Sequence, residues 1–218
     1  RGACTHPCRW KYAVVEETRP GEYLPVYENE RGTYIFNSKD LCMIEHIPEL
    51  VEAGVTSLKI EGRAKSAYYV SVITNAYRMA MDAYLADPSS KQLPEWIRQE
   101  VFQVSHREYC TGFFYGAPQA GQRYADNLYV RRSDVVAIVE DWKDGMLYAT
   151  QRNRFFATDE LELLMPGKPP VPLHLTALYQ EDGTPISVAN HAMMKLSMPC
   201  ATQAPPRAII RRTVPEEA

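Results

Sequence analysis

The stretch from Val55 to Leu85 restricts the possible folds more than any other part of the chain. Val55 to Ile60 is a short apolar run of the kind that forms a buried strand, and Glu61-Gly62-Arg63 then turns the chain. From about Ser66 to Leu85 the residues Tyr69, Val70, Ile73, Ala76, Tyr77, Ala80, Met81 and Tyr84 fall at the spacing of one helical face. Before this, Asn37-Ser38 offers capping side chains, and Leu41, Ile44, Ile47, Leu50 and Val51 predict an amphipathic helix closed by Gly54. Helix, buried strand, polar turn and long helix in that order is the grammar of parallel α/β folds.

Outside this unit the texture differs. Between Lys11 and Phe36, the segments Tyr12 to Val15, Tyr23 to Tyr27 and Thr33 to Phe36 read as short antiparallel strands, separated by Arg19-Pro20-Gly21 and by Asn29 to Gly32. Asp87-Pro88-Ser89-Ser90 punctuates the chain, and a shorter helix is expected over Glu95 to Gln103. Beyond Tyr115 the segments are short and partly alternating: Val135 to Glu140, Met146 to Thr150, Glu160 to Leu164, Leu173 to Tyr179, Ile186 to Ala189 and Met194 to Met198. Asp144-Gly145, Pro166-Gly167 and Asp182-Gly183 divide them, which predicts a β barrel or sandwich of about 80 residues. The expected class is therefore α/β plus all-β.

A chain of 218 residues suffices for one ordinary domain or two small ones. The net charge of −3 gives no electrostatic argument for or against nucleic acid. No apolar run approaches the roughly 20 residues that span a bilayer, and Arg1 to Trp10 lack the apolar stretch of a signal peptide. Five cysteines, an odd number, favour reduced thiols or metal ligands over a disulfide framework. The expectation is a soluble, cytoplasmic protein with no membrane partner. The start at Arg1, without Met, suggests the C-terminal part of a larger protein and not a complete enzyme.

Two places concentrate residues able to carry chemistry. Cys4 and Cys8 lie in Gly2-Ala3-Cys4-Thr5-His6-Pro7-Cys8-Arg9, a spacing from which two thiolates reach one metal or iron–sulfur cluster. On spacing alone that is half a site, and two buried thiols explain it equally well; His6 adds weak support for zinc. The second is Leu58-Lys59-Ile60-Glu61-Gly62-Arg63-Ala64-Lys65, at the junction of strand and helix. Ligands in parallel α/β folds bind at the carboxyl ends of strands, and cations beside a helix N-terminus suit a phosphate or carboxylate. A solvated loop with mutually paired charges is the competing reading, but Lys59 alternates with Leu58 and Ile60 as an inward-facing residue would.

Other residues support blander roles. Asp40 is expected as a first-turn acid favoured by the helix dipole, with a place facing the same cavity as the alternative. Phe113-Phe114-Tyr115, following His106 and Arg107, reads as packing between domains in preference to a base-stacking surface. Cys42, Cys110 and Cys200 have no metal-ligand spacing and read as small buried hydrophobes. No Gly-x-Ser-x-Gly, His-Glu-x-x-His or phosphate-loop motif is present.

Taken together, Arg1-Gly2-Ala3-Cys4 to Cys8-Arg9-Trp10-Lys11-Tyr12, Tyr34-Ile35-Phe36-Asn37-Ser38-Lys39-Asp40-Leu41-Cys42 and Leu58 to Arg63 through Tyr69-Val70 to Tyr77-Arg78 resemble the U32 peptidase family. The match is to its collagenase-like branch associated with tRNA hydroxylation. It continues through Ser105-His106-Arg107, Thr111-Gly112-Phe113, Asn153-Arg154-Phe155, Asp159 to Glu162, Asp182-Gly183 and Ile210-Arg211-Arg212. The resemblance implies that residues 1–87 are closing β/α units of a TIM-like barrel, 88–127 a helical linker, and 128–218 a small β barrel similar to those of translation factors. It implies a four-iron cluster whose last two cysteines map onto Cys4 and Cys8, the other two lying upstream, so that this chain alone holds half the ligand set.

It further implies a part in prephenate-dependent formation of 5-hydroxyuridine at the tRNA wobble position, with tRNA as partner; action alone and action with a paralogous protein partner both stay open. A related branch acts on ribosomal RNA. Lys59, Glu61, Arg63 and Lys65 become the expected substrate or cofactor contacts, since ammonium and guanidinium groups suit the carboxylates of prephenate; no catalytic residue is assigned. The alternatives are a metal-dependent, collagen-degrading peptidase and an RNA- or protein-binding module without chemistry.

Overall fold

A computed structural model describes residues 14–15, 23–24, 27–30, 32–34, 39–116 and 132–214. The chain divides into two compact units, one of residues 1–43 and 106–129, the other of residues 44–105 and 130–218. Among the described residues no helix is long and apolar enough to cross a membrane.

In the first unit, β1 (Val14–Val15) pairs antiparallel with β2 (Tyr23–Leu24), and β3 (Tyr27–Asn29) with β4 (Gly32–Tyr34). Short antiparallel strands were the expectation for this region; the remainder of those segments lies outside the described residues. β5 (Asp40–Leu41) lies parallel to β6 (Tyr109–Cys110). Backbone hydrogen bonds from Asp40 N to Glu108 O and from Cys42 N to Cys110 O, each 2.9 Å, extend the pairing. Asp40 and Leu41 are thus strand residues, which corrects their expected place at a helix start.

In the second unit the helix begins later than the apolar spacing predicts. A 3₁₀ turn at Ile44–His46 leads into α1 (Ile47–Glu52), with Pro48 in its first turn, where a missing N–H costs nothing. Gly54, at φ +82°, ends it as expected, and the N–H groups of Gly54 and Val55 close back onto Val51 O and Leu50 O at 2.9 and 3.0 Å. The buried strand expected over Val55 to Ile60 is absent. The segment is coil, with Val55 41% exposed. A strand needs a neighbour for its N–H and C=O groups, and among the described residues no ladder reaches this segment.

α2 (Ala67–Ala86) matches its sequence signal closely. Ser66 caps it by accepting from Tyr69 N at 3.1 Å, and Val72, Ile73, Ala76, Ala80 and Tyr84 are buried. Val70, expected on that apolar face, is 42% exposed. α3 (Glu95–Glu100) stops before the expected Gln103, and turns bury Val101 and Val104 beyond it.

The rest of this unit is β-rich. Its strands are β7 (Ser133–Lys143), β8 (Met146–Gln151), β9 (Phe155–Phe156), β10 (Leu161–Leu164), β11 (Val171–Leu173), β12 (Tyr179–Gln180), β13 (Val188–Ala189), β14 (Lys195–Pro199) and β15 (Ile209–Thr213). Seven form an antiparallel sheet in the order β11-β10-β15-β7-β8-β14-β12, and β9 pairs with β13. Asp144 and Gly145, at φ 51° and 79°, form the tight turn between β7 and β8. The expected Leu173 to Tyr179 strand is split between β11 and β12, and β15, which no sequence segment announced, lies beside β7 near the middle. No ladder joins the edges β11 and β12 among the described residues, so pairing does not close the expected barrel. An apolar core that includes Val136, Val139, Leu147, Phe155, Leu163, Met198 and Ile210 fills the β-rich part.

Candidate functional site

The loop before α2 is built by local constraints. Gly62 is required by proximity: a Cβ there would lie 2.9 Å from Val70 Cγ2. Lys65 N donates to Gly62 O at 3.0 Å, closing the turn, and Arg63 N donates to Glu61 Oε1 at 2.8 Å. The Glu61 carboxylate thus shapes the loop itself. Lys65, half-buried, donates from Nζ to Ser105 O at 3.3 Å and lies 5.1 Å from the Tyr69 ring centre, a cation–π distance.

Lys59 and Arg63 are exposed and enter no ion pair with described residues. Glu61, Arg63 and Lys65 are therefore gathered on one turn at the start of a 20-residue helix, with Lys59 two residues earlier on the coil. The positive end of the helix dipole and the excess of Lys59, Arg63 and Lys65 over the single carboxylate of Glu61 favour an anion on this turn.

Asp40 and Arg107 meet at the parallel strands of the first unit. The guanidinium contacts Asp40 Oδ1 from Nη2 at 2.8 Å and Nε at 3.0 Å, and Arg107 N donates to Oδ2 at 3.0 Å. Lys39 pairs with Glu108 at 2.5 Å, and the His106 ring stacks on Tyr109 with centroids 4.3 Å apart. Asp40 holds strands together here. Phe113, Phe114 and Tyr115, expected to pack between domains, are 79%, 58% and 60% exposed.

Sequence reasoning missed the most deeply buried charge among the described residues. Arg211 on β15 is 2% exposed and donates to Glu100 Oε2 and Oε1 at 3.0 and 2.6 Å, to Glu162 Oε2 at 2.7 Å and to Tyr68 Oη at 3.3 Å. Burial works against its charge, yet the Glu100 hydrogen bonds and the surrounding Tyr68, Glu100 and Glu162 outweigh it and hold the guanidinium above its ordinary range. Burial likewise pushes the Tyr68 phenol up, against the pull of Arg211. The register shift between Ile210 and Arg211 marks this position. Ile210 enters the sheet core and Arg211 meets α2 and α3. An Arg flanked by apolar Ile210 in a strand-like run was the available signal.

Cys4, His6 and Cys8 lie outside the described residues. Among the described residues no group of three or more His, Cys, Asp or Glu is placed to hold a metal ion. Cys42 and Cys110 are half-buried, and Cys200 is buried, with its thiol pushed up by desolvation.

The model of peptidase family U32 matches residues 1–124, and that of the U32 C-terminal domain matches residues 131–211. The chain belongs to peptidase family U32. Among similar U32 relatives, tRNA hydroxylation protein P1 of Bacillus subtilis is 33% identical over 88% of this chain and 46% of its own length. The tRNA hydroxylation protein P of Escherichia coli is 32% identical over 76% of this chain and 45% of its own. A protein named collagenase from Porphyromonas gingivalis is 33% identical over 53% of this chain and 27% of its own. The chain thus spans less than half the length of these relatives. The Arg211 network crosses the two U32 segments: Tyr68 and Glu100 belong to the first, Glu162 and Arg211 to the second.

Proposed function

We propose that the protein takes part in tRNA hydroxylation, forming 5-hydroxyuridine at the wobble position. The observation that carries this reading is likeness to tRNA hydroxylation proteins across both family segments, reaching 88% of the chain. In this proposal the chain supplies closing β/α units of a TIM-like barrel, and Val55 to Ile60 is the coil that leads to its mouth. The turn after it is the barrel mouth, where Lys59 and Arg63 hold the carboxylates of prephenate and Glu61 and Lys65 keep the turn in shape. Cys4 and Cys8 supply two ligands of a four-iron cluster, which when bound provides electron-transfer chemistry. The protein works in the cytoplasm, with tRNA and a paralogous partner.

The test is mass spectrometry of tRNA nucleosides from cells lacking the full-length gene, complemented by wild type, by Arg63→Ala, and by Cys4→Ser with Cys8→Ser. Loss of 5-hydroxyuridine derivatives on deletion, restored only by wild type, is the expected result. An unchanged tRNA profile, with redundant pathways also deleted, would overturn it. Full restoration by Arg63→Ala removes that residue from the site.

The likeness to the protein named collagenase keeps a second reading, a metal-dependent peptidase. It extends over 53% of the chain, and metal-dependent cleavage of gelatin by the full-length protein would favour it. A module that only binds RNA or protein is the third reading, favoured by tRNA binding without any change in modification.

A further inference from the structure

A cavity of about 490 Å³ opens beside α2, bounded by Val70, Thr74 and Arg78 on the helix and by Met165, Lys168 and Arg207 opposite. Its size falls within the roughly 300–1,000 Å³ of small-molecule sites. Val70, Thr74 and Arg78 follow at four-residue steps, so one helical face lines it. This accounts for the exposed Val70, an apolar side chain turned to the cavity and not to the core. The opposite wall is fixed in place, because Gly167 N donates to Asn75 Oδ1 at 2.8 Å and ties the turn after β10 to α2.

The charge around this space is one-sided. Glu100 reaches the lining but is held by Arg211, and Asp82 is held by Arg78. Lys168 and Arg207 are exposed and have no acidic partner among the described residues. An apolar chamber with two uncompensated cations suits a molecule with an apolar body and an acidic group. None of the described lining residues is aromatic, so the stacking platform that an unpaired nucleobase uses is missing.

We propose that this cavity binds a small amphipathic organic anion, its body against Val70 and Met165 and its acidic group on Lys168 and Arg207. The cavity is lined by residues other than those of the Lys59 to Lys65 turn, although Val70 adjoins Gly62 of that turn, and the proposal does not depend on the tRNA reading.

The test is calorimetry and methyl-observed NMR on the whole chain with 3-phenylpropionate, phenyl phosphate and the uncharged 3-phenylpropanamide. At least one anion should bind saturably and shift the Val70 and Met165 methyls, and the amide should bind about tenfold more weakly. The stronger anion distinguishes carboxylate from phosphate. Thr74→Trp, which fills the cavity from an exposed helical position, and Lys168→Gln with Arg207→Gly should each weaken binding about tenfold. Glycine suits position 207, where φ is 72°.

The proposal fails if neither anion saturates below about 10 mM, if the amide binds as tightly, or if Thr74→Trp keeps full affinity. A short oligouridylate that displaces the anions and itself needs Lys168 and Arg207 would also overturn it, by making the face a nucleic-acid surface. The methyl shifts on wild type decide the question even if a variant fails to fold.

Discussion

Arg211 and Glu100 form a buried pair whose partners cannot be removed one at a time without consequence. Arg211→Met leaves the Glu100 carboxylate buried and unmatched, at an expected cost of about 3–5 kcal/mol in denaturant melts. Adding Glu100→Met should recover most of that loss, since matched apolar replacement of such pairs is often close to neutral. A double variant no more stable than Arg211→Met would show that the pair is not the source of the cost. Gly62 offers a second residue-scale test. Gly62→Ala sets a Cβ against Val70 Cγ2, whose β-branched side chain is stiff in a helix, and should cost about 1–3 kcal/mol. With Val70→Ala in place the same change should cost far less. Gly62 reads from sequence only as a turn residue, because the side chain that excludes a Cβ lies on the next element.

Among the elements, α2 was legible because its cap, period and length agree. The turn at Asp144-Gly145 was legible because its residue types fit the left-handed backbone found there. Val55 to Ile60 was not, since an apolar run states a need for neighbours and says nothing of whether they are present. β15 escaped notice because Arg211 and Arg212 break its apolar pattern, although both charges are satisfied by partners distant in sequence.

A polar cluster also joins three strands of the sheet. Glu140 on β7 accepts from Thr150 on β8 and Lys195 on β14, and Lys195 Nζ also reaches Thr150 Oγ1 at 3.0 Å. The Lys195 and Thr150 hydrogen bonds hold the Glu140 carboxyl below its ordinary 4.5. A depressed folded-state value means the stabilisation is fully present above that 4.5 and fades as pH falls through the lower folded-state value. Glu140→Gln should therefore narrow the gap between the neutral and acid melting temperatures. The narrowing should shrink at high salt, since the groups are exposed. An unchanged gap at low salt would remove Glu140 from the acid response.

For the molecule as a whole, the compact unit holding the sheet also holds α1, α2 and α3, although the helices fall in the first family segment and the sheet in the second. Both Asn75 to Gly167 and the Arg211 network tie them. Amide exchange should therefore show the buried face of α2 and strands β7 and β15 opening together, with Arg211→Met lowering both protections in step. Protection lost in α2 alone would separate them. The division into a mixed α/β part and a β-rich part was visible in the texture of the chain, but the side to which the helices attach was not, because it depends on a few long-range polar contacts.

The Arg211 network also bears on how such a protein can change over time. Because the guanidinium and the carboxylate opposite it lie in different family segments, an exchange of tails between two diverged lineages can bring together mismatched halves. Substitutions at positions 100 and 211 are expected to be inherited as a pair.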